Sequence, residues 1–294
     1  MSAVDPAFLP AHVLAAEIRS RRLSPVALTE RLLDRIAAAQ PVLNAFITIC
    51  RDEALAAART AEAALDRGDP LGPLHGIPVS VKDLFDTAGI RTTWGSRLMG
   101  ENVPAADAVA VARLKEAGAI VIGKTTTSEF AHKLLTDAPL FGATRNPWAL
   151  DRTPGGSSGG SAVAVAAGLG PLSLATDAGA STRLPAACTG IVGLKPTLGL
   201  VPHSQVPDGF NNFIHLGLMA RNVRDVALML DVLAGPEASD PHSIAVPRPG
   251  AGAALEAGVT VAGRRIAWRP LLGNRLLDDE VRAAGERAVA LLRR

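Results

Sequence analysis

Apolar residues recur at helical spacing at Leu28, Leu32 and Ile36, and Ser24-Pro25 ahead of them is an N-cap followed by a first-turn proline. With a shorter periodic run before it, residues 10–40 read as two helices, the second stopped by Pro41. A third, Ala-rich helix is expected over 51–67, ended by Gly68. The opening, 1–70, is therefore expected to be an all-helical layer. The period changes after Leu74. Short apolar runs at 77–81, 119–122, 172–176 and 191–194 read as strands, and 106–117 and 162–167 between them as helices. Asn222 caps a further helix with Val223, Val226, Ala227, Leu230 and Leu233 on one side, and Gly235-Pro236 ends it. Residues 236–252 read as a surface loop, 264–268 as a strand and 278–292 as a helix. Strands alternating with helices predict an α/β protein with a mostly parallel sheet and helices on its faces.

Composition narrows the function class. The 294 residues are 48% hydrophobic and 20% charged, which fits a folded chain with a real core. A formal net charge of +2 and 3% aromatic residues with no Tyr leave no basic–aromatic surface for nucleic acid. Cys50 and Cys188 sit among apolar neighbours and read as two buried, reduced thiols, neither a disulfide framework nor a metal site. The longest apolar stretch, 162–175, is broken by Gly168, Gly170 and Pro171, and the start lacks a basic n-region. No membrane association is expected, and the cytoplasm is the expected compartment.

Two motif matches fail on context. Gly118 to Thr125 fits the spacing of a phosphate-binding P-loop, but its middle, Ala119-Ile120-Val121-Ile122, reads as a buried strand and not as a loop of exposed N–H groups. Gly155-Gly156-Ser157-Ser158-Gly159 fits a nucleophile elbow, which must follow a strand directly. The preceding residues 146–154 contain Pro147 and Pro154 and do not read as one. His203, His215 and His242 lie in loop-like contexts, and all six histidines read as solvated or structurally bonded, so a Ser-His-Asp triad is the weaker option.

The chemistry concentrates in residues 153–196, where two Gly-rich turns flank a short helix and strand. The first turn carries Ser157 and Ser158, the second Ser181. A serine hydroxyl needs a base, and a lysine can be one if burial keeps it neutral. Lys82, at the end of the 77–81 strand, is placed for that, although a single lysine is more often a solvated surface charge. Small residues between Thr176 and Ser181 let successive N–H groups converge as an oxyanion hole, or simply make a tight connection.

Taken together, VSVKDLFDTAGIRTTWGS (79–96), GKTTTSEF (123–130), FGATRNPW (141–148), TPGGSSGGSA (153–162), TDAGASTRLPAACTGIVGLKPTLGLVP (176–202) and MARNVRDVALMLDVLAGP (219–236) closely resemble the amidase signature family of Ser/Ser/Lys hydrolases. The resemblance implies an α/β/α layered fold with a central twisted, mixed and largely parallel sheet. It implies that Lys82 is the general base, Ser157 the bridging serine after a cis peptide bond, and Ser181 the nucleophile. N–H groups of Ala178, Gly179, Ala180 and Ser181 would form the oxyanion hole. Thr176, Asp177 and Arg183 would support the turn, and Ala131 with Ser157 would line the substrate site. The implied reaction is hydrolysis of a small-molecule carboxylic amide to the acid plus ammonia or amine through a Ser181 acyl-enzyme, with no cofactor and no metal. The alternatives are the glutamine-hydrolysing subunit of a tRNA-dependent amidotransferase and, in another class, a truncated, non-catalytic family member.

Three departures accompany the resemblance. Ala180 stands where the family usually has a second Gly, and Leu218 where it commonly has Pro. The pattern also stops at Arg293-Arg294 inside a helical run, where family members continue. Residues 1–294 are therefore expected to form a single domain: a helical layer (1–70), a catalytic core (71–236) and the start of a C-terminal portion (237–294) that reads as truncated. A homodimer or a second chain would cover the sheet edge this leaves.

Overall fold

A computed structural model describes residues 5–203, 213–245, 250–258 and 260–293. The chain divides into two units, one through residue 252 and one from 253. The first opens with α1 (Ala11–Arg19) and α2 (Pro25–Leu43), where Ser24 Oγ accepts the Ala27 N–H at 3.1 Å. Leu28, Leu32 and Ile36 are buried, as their spacing requires. Pro41 does not stop α2. It lies in the last turn, where the missing N–H forfeits a single intrahelical bond, and the helix closes at left-handed Asn44, whose N–H reaches Gln40 C=O. Nor is the opening all-helical. The strand β1 (Phe46–Ile49) interrupts it before α3 (Arg51–Arg67), which ends at left-handed Gly68 as expected.

Next come β2 (Pro78–Lys82), α4 (Val109–Glu116) and β3 (Ile120–Thr125), which runs through the P-loop match and buries all six of its residues. A small hairpin, β4 (Asp137–Ala138) with β5 (Gly142–Ala143), precedes α5 (Gly159–Ala166), β6 (Leu172–Asp177), α6 (Arg183–Thr189) and β7 (Val192–Leu194). The unit then forms β8 (His215–Ala220), which the sequence pattern did not separate from loop, and α7 (Val223–Leu233). Asn222 caps α7 by accepting the Asp225 N–H at 2.9 Å, and Val226, Ala227, Leu230 and Leu233 are buried. Val223, expected beside them, is 56% exposed because it occupies the first, outward position of the helix.

Among the described residues the main sheet has the order β1-β3-β2-β6-β8-β7. The central strands β3, β2 and β6 are parallel, while β1 and β8 run against their neighbours. Four of the six strands thus point one way, in a mixed sheet. Strand alternation sends the two faces to different partners. Val79, Val81, Leu172, Leu174 and Leu218 pack with Val111 and Leu114 of α4 and Val226, Met229 and Leu230 of α7. Ile120 and Ile122 face the other way, against Val163 and Ala164 of α5 with Ile36 of α2 and Ala58 of α3. Leu218 pairs with both Leu174 and Leu194, so a strand-forming residue fits this interior position.

A short helix, α8 (Ala251–Glu256), falls where the units divide, and α9 (Asp279–Leu292) begins at its cap, Asp278, as predicted. Residues 264–268 form no strand among the described residues, since no strand within their unit is available to pair with them. Part of the expected 236–252 loop, 246–249, lies outside the described residues. No helix is long and apolar enough to cross a membrane among the described residues.

Candidate active site

The parallel strands β2 and β6 end side by side, and at their C-terminal ends the sequence places Lys82 and Thr176-Asp177. The N-terminal turn of α5 meets them there. Its backbone comes close to the loop before β4. A Cβ on Gly156 would stand 2.5 Å from Leu135 backbone, so only glycine fits. Thr136 Oγ1 pins the turn, donating toward Gly155 C=O at 2.9 Å and accepting the Gly159 N–H at 2.8 Å. The Gly156–Ser157 peptide bond is cis. No strand enters this turn, in keeping with the failed elbow match.

Lys82 is fully buried. Its Nζ lies 2.7 Å from Ser157 Oγ, 2.8 Å from Ser158 Oγ and 2.8 Å from Thr176 Oγ1. Burial pulls its pKa well below the ordinary value of 10.5, against the opposing charge of Asp177. Nζ donates to all three hydroxyl oxygens. Ser158 gives its own proton to Thr176 C=O at 3.1 Å, so it accepts from Nζ. Ser158 as a partner of Lys82 was missed by the sequence reading. Its only signal was the doubling of serine in the turn.

The second turn is braced by one carboxylate. Asp177 accepts from the Ala180, Thr182 and Arg183 N–H groups at 2.9, 3.1 and 3.2 Å, and pairs with the Arg183 guanidinium at 2.9 and 2.8 Å. Burial works to raise its pKa, but Arg183 and these N–H groups outweigh it and hold the carboxyl below its usual range. One expectation changes here. The Ala180 N–H is committed to Asp177 and is no longer an oxyanion donor. Those of Ala178, Gly179 and Ser181 have no protein acceptor among the described residues. Ala180 itself has φ +89°, the left-handed backbone that favours glycine.

Ser181 is 5% exposed and opens on a cavity of about 450 Å³ lined by Thr176, Ala178, Gly179, Phe130, Ala131, Leu134 and Ile214. The two serine turns meet through the Ser158 N–H and Ser181 C=O at 3.3 Å. No hydrogen bond joins the Ser157 and Ser181 hydroxyls among the described residues, so the structure brings Lys82, Ser157 and Thr176 into contact and leaves the Ser181 hydroxyl outside that set. A larger hollow, about 600 Å³ between α3 and β3, contains none of these residues.

Other assignments resolve simply. Cys50 is buried and its thiol is pushed up to about 12, chiefly by desolvation, whereas Cys188 is exposed on the outer side of the short α6, contrary to expectation. His215 begins strand β8 and is not in a loop. His12 bonds Asp225 at 2.7 Å and His75 bonds Ala61 C=O at 2.9 Å. Among the described residues no three His, Cys, Asp or Glu side chains cluster to hold a metal.

Comparison with known proteins fits this geometry. The family model named Amidase matches residues 27–294, and the chain belongs to that family. It is 41% identical to an acylamidase of Rhodococcus erythropolis over 276 residues, 94% of this chain and 57% of that one. It is 44% identical to a glutamyl-tRNA(Gln) amidotransferase subunit of Acidothermus cellulolyticus, covering 95% of this chain and 55% of the relative. The native peptide amidase of Stenotrophomonas maltophilia superposes with a TM-score of 0.87 at 36% identity, covering 97% of this chain and 60% of that structure. The chain therefore spans little more than half the length of these relatives.

Proposed function

We propose that this chain carries the reacting groups of an amidase that hydrolyses a carboxylic amide through a Ser181 acyl-enzyme. The observation that carries the reading is the fully buried Lys82 amine held 2.7 Å from Ser157 Oγ. Neutral Lys82 takes the Ser157 proton while Ser157 takes that of Ser181, and Ser181 Oγ adds to the amide carbon. The carbonyl oxygen, now negative, accepts from N–H groups among Ala178, Gly179 and Ser181. The proton returns along the same path to the departing nitrogen, the C–N bond breaks, and water repeats the sequence on the ester. Contact between Ser157 and Ser181 closes when substrate fills the cavity, since such bonds commonly tighten only in the reacting complex. No step requires a metal or an organic cofactor.

The test is fluorophosphonate labelling read by peptide mass spectrometry. Label at Ser181, absent in Ser181→Ala and slowed about 10²-fold or more in Lys82→Ala, is expected. A cooperatively folded chain that takes no label overturns the reading in favour of a non-catalytic family member. The second reading, glutamine hydrolysis within a tRNA-dependent amidotransferase, is favoured by the 44% identity to a component of one such enzyme. It predicts glutaminase activity that depends on partner chains, where a free amidase acts alone.

A further inference from the structure

At the same end of the sheet lies a second buried polar cluster that the relay does not use. Asp83 follows Lys82 and turns away from the serines, toward Lys124 at the end of β3; both side chains are fully buried. Asp83 Oδ1 lies 3.5 Å from Lys124 Nζ, which also donates to Phe85 C=O at 2.7 Å and to Thr92 Oγ1 at 2.5 Å. Asp83 Oδ2 accepts from the Thr93 N–H at 2.9 Å and from Thr93 Oγ1 at 2.5 Å, and Thr93 Oγ1 accepts the Gly95 N–H at 3.1 Å.

The Thr93 and Asp83 bonds tie the 83–95 segment back on itself, those of Lys124 tie it to β3, and that segment leads to the cavity. The Trp94 N–H donates to Asp83 C=O at 2.9 Å, and Trp94 C=O accepts the Phe130 N–H at 2.8 Å. The Trp94 and Phe130 rings meet edge to face, centroids 6.1 Å apart. Phe130 and Ala131 then form one wall of the cavity beside Ser181. Three non-glycine residues on this route have left-handed backbone: Trp94 at φ +53°, Phe130 at +48° and Ala131 at +57°. Such conformations persist only where the surroundings over-determine them. The side-chain bonds of Asp83 and Lys124 hold Phe85, Thr92 and Thr93, and the backbone bonds of Trp94 carry that restraint on to Phe130.

We propose that Asp83 and Lys124, acting through Thr92 and Thr93, are positioning residues that fix the Phe130–Ala131 wall against the strand end carrying Lys82, and so set which acyl groups reach Ser181. They do not touch substrate. The inference rests on the amidase reading for its consequence, while the clamp itself can be tested without activity.

Two fluorophosphonates, one bearing a methyl and one an octyl group on phosphorus, are compared on the full chain, on Lys124→Met and on Thr93→Val. The second variant removes one hydroxyl and keeps the ion pair, so it remains informative if Lys124→Met does not fold. The ratio of octyl to methyl labelling rates at Ser181 is expected to change about tenfold, with the methyl rate within about threefold of wild type. Rates that fall in parallel with no change in ratio overturn the proposal. Independently, Trp94 is made the sole tryptophan by Trp148→Phe and Trp268→Phe. Its acrylamide quenching is expected to rise about twofold on adding Thr93→Val. Unchanged quenching overturns the clamp, and failure of the wild-type chain to label counts against the amidase reading alone.

Discussion

Ala180 shows how one methyl can be read at the scale of a residue. Its φ of +89° puts Cβ against backbone, at a cost of about 1 kcal/mol or more for a non-glycine residue. The turn tolerates this because Asp177 grips the N–H groups of Ala180, Thr182 and Arg183 together. Ala180→Gly relieves roughly 1 kcal/mol of strain but adds unfolded-chain freedom worth about 0.4–1 kcal/mol, so stability is expected to hold or rise by up to about 0.6 kcal/mol. Because the glycine's unfolded-state freedom alone would cost about 0.4–1 kcal/mol, a fall in the urea midpoint equivalent to that full cost rejects the strain. The sequence could flag Ala180 as unusual, but not that its N–H is spent on Asp177. Likewise the pair Ser157-Ser158 was visible, whereas both hydroxyls reaching Lys82 Nζ depends on how the turn lies over β2.

At the scale of elements, helices with their own caps and periodic faces were legible: α2, α3, α7 and α9 begin or end where local chemistry says. The helix α1 was legible from its periodic run, but the partner that caps its start was not. The N-cap position of α1 is Pro10, which offers no side-chain acceptor, and Asp225 supplies one from α7. Its carboxylate accepts the Ala11 N–H at 2.7 Å and the His12 N–H at 3.0 Å while also bonding the His12 ring. Asp225→Ala leaves these donors unmet in a buried place and is expected to cost about 2–3 kcal/mol by chemical denaturation. A loss below about 0.5 kcal/mol would mean that water replaces the carboxylate. The strands β1 and β8 escaped notice for the same reason as the cap. β1 has only four residues and β8 contains a glycine, and each is a strand because a neighbour pairs with it.

Over the whole molecule, the buried site makes stability depend on pH in a definite direction. The folded state holds Lys82 with a pKa well below 10.5, so between that depressed value and 10.5 the unfolded chain binds a proton the folded chain does not. Stability from this group therefore climbs as pH rises through the window, at up to about 1.4 kcal/mol per pH unit. Lys82→Met removes the climb, and equal slopes for the two proteins in urea titrations would show the lysine to be charged when folded. Asp177 acts in the opposite range: its pKa lies below 3.8, so its contribution is present above that value and is lost as pH falls through the depressed one.

The sequence by itself determined the family, through the run of motifs from 79 to 236, and the alternation of strands and helices, because turn residues and apolar periods are local properties of the chain. Tertiary structure decided what depends on partners distant in sequence. The six-stranded order follows from pairing, and the lowered pKa of Lys82 from its complete burial beside Ser157, Ser158 and Thr176. The joining of Asp83 to Lys124 likewise needs the parallel register of β2 and β3, which sets Lys82 opposite Thr125 and brings residues about forty apart within reach.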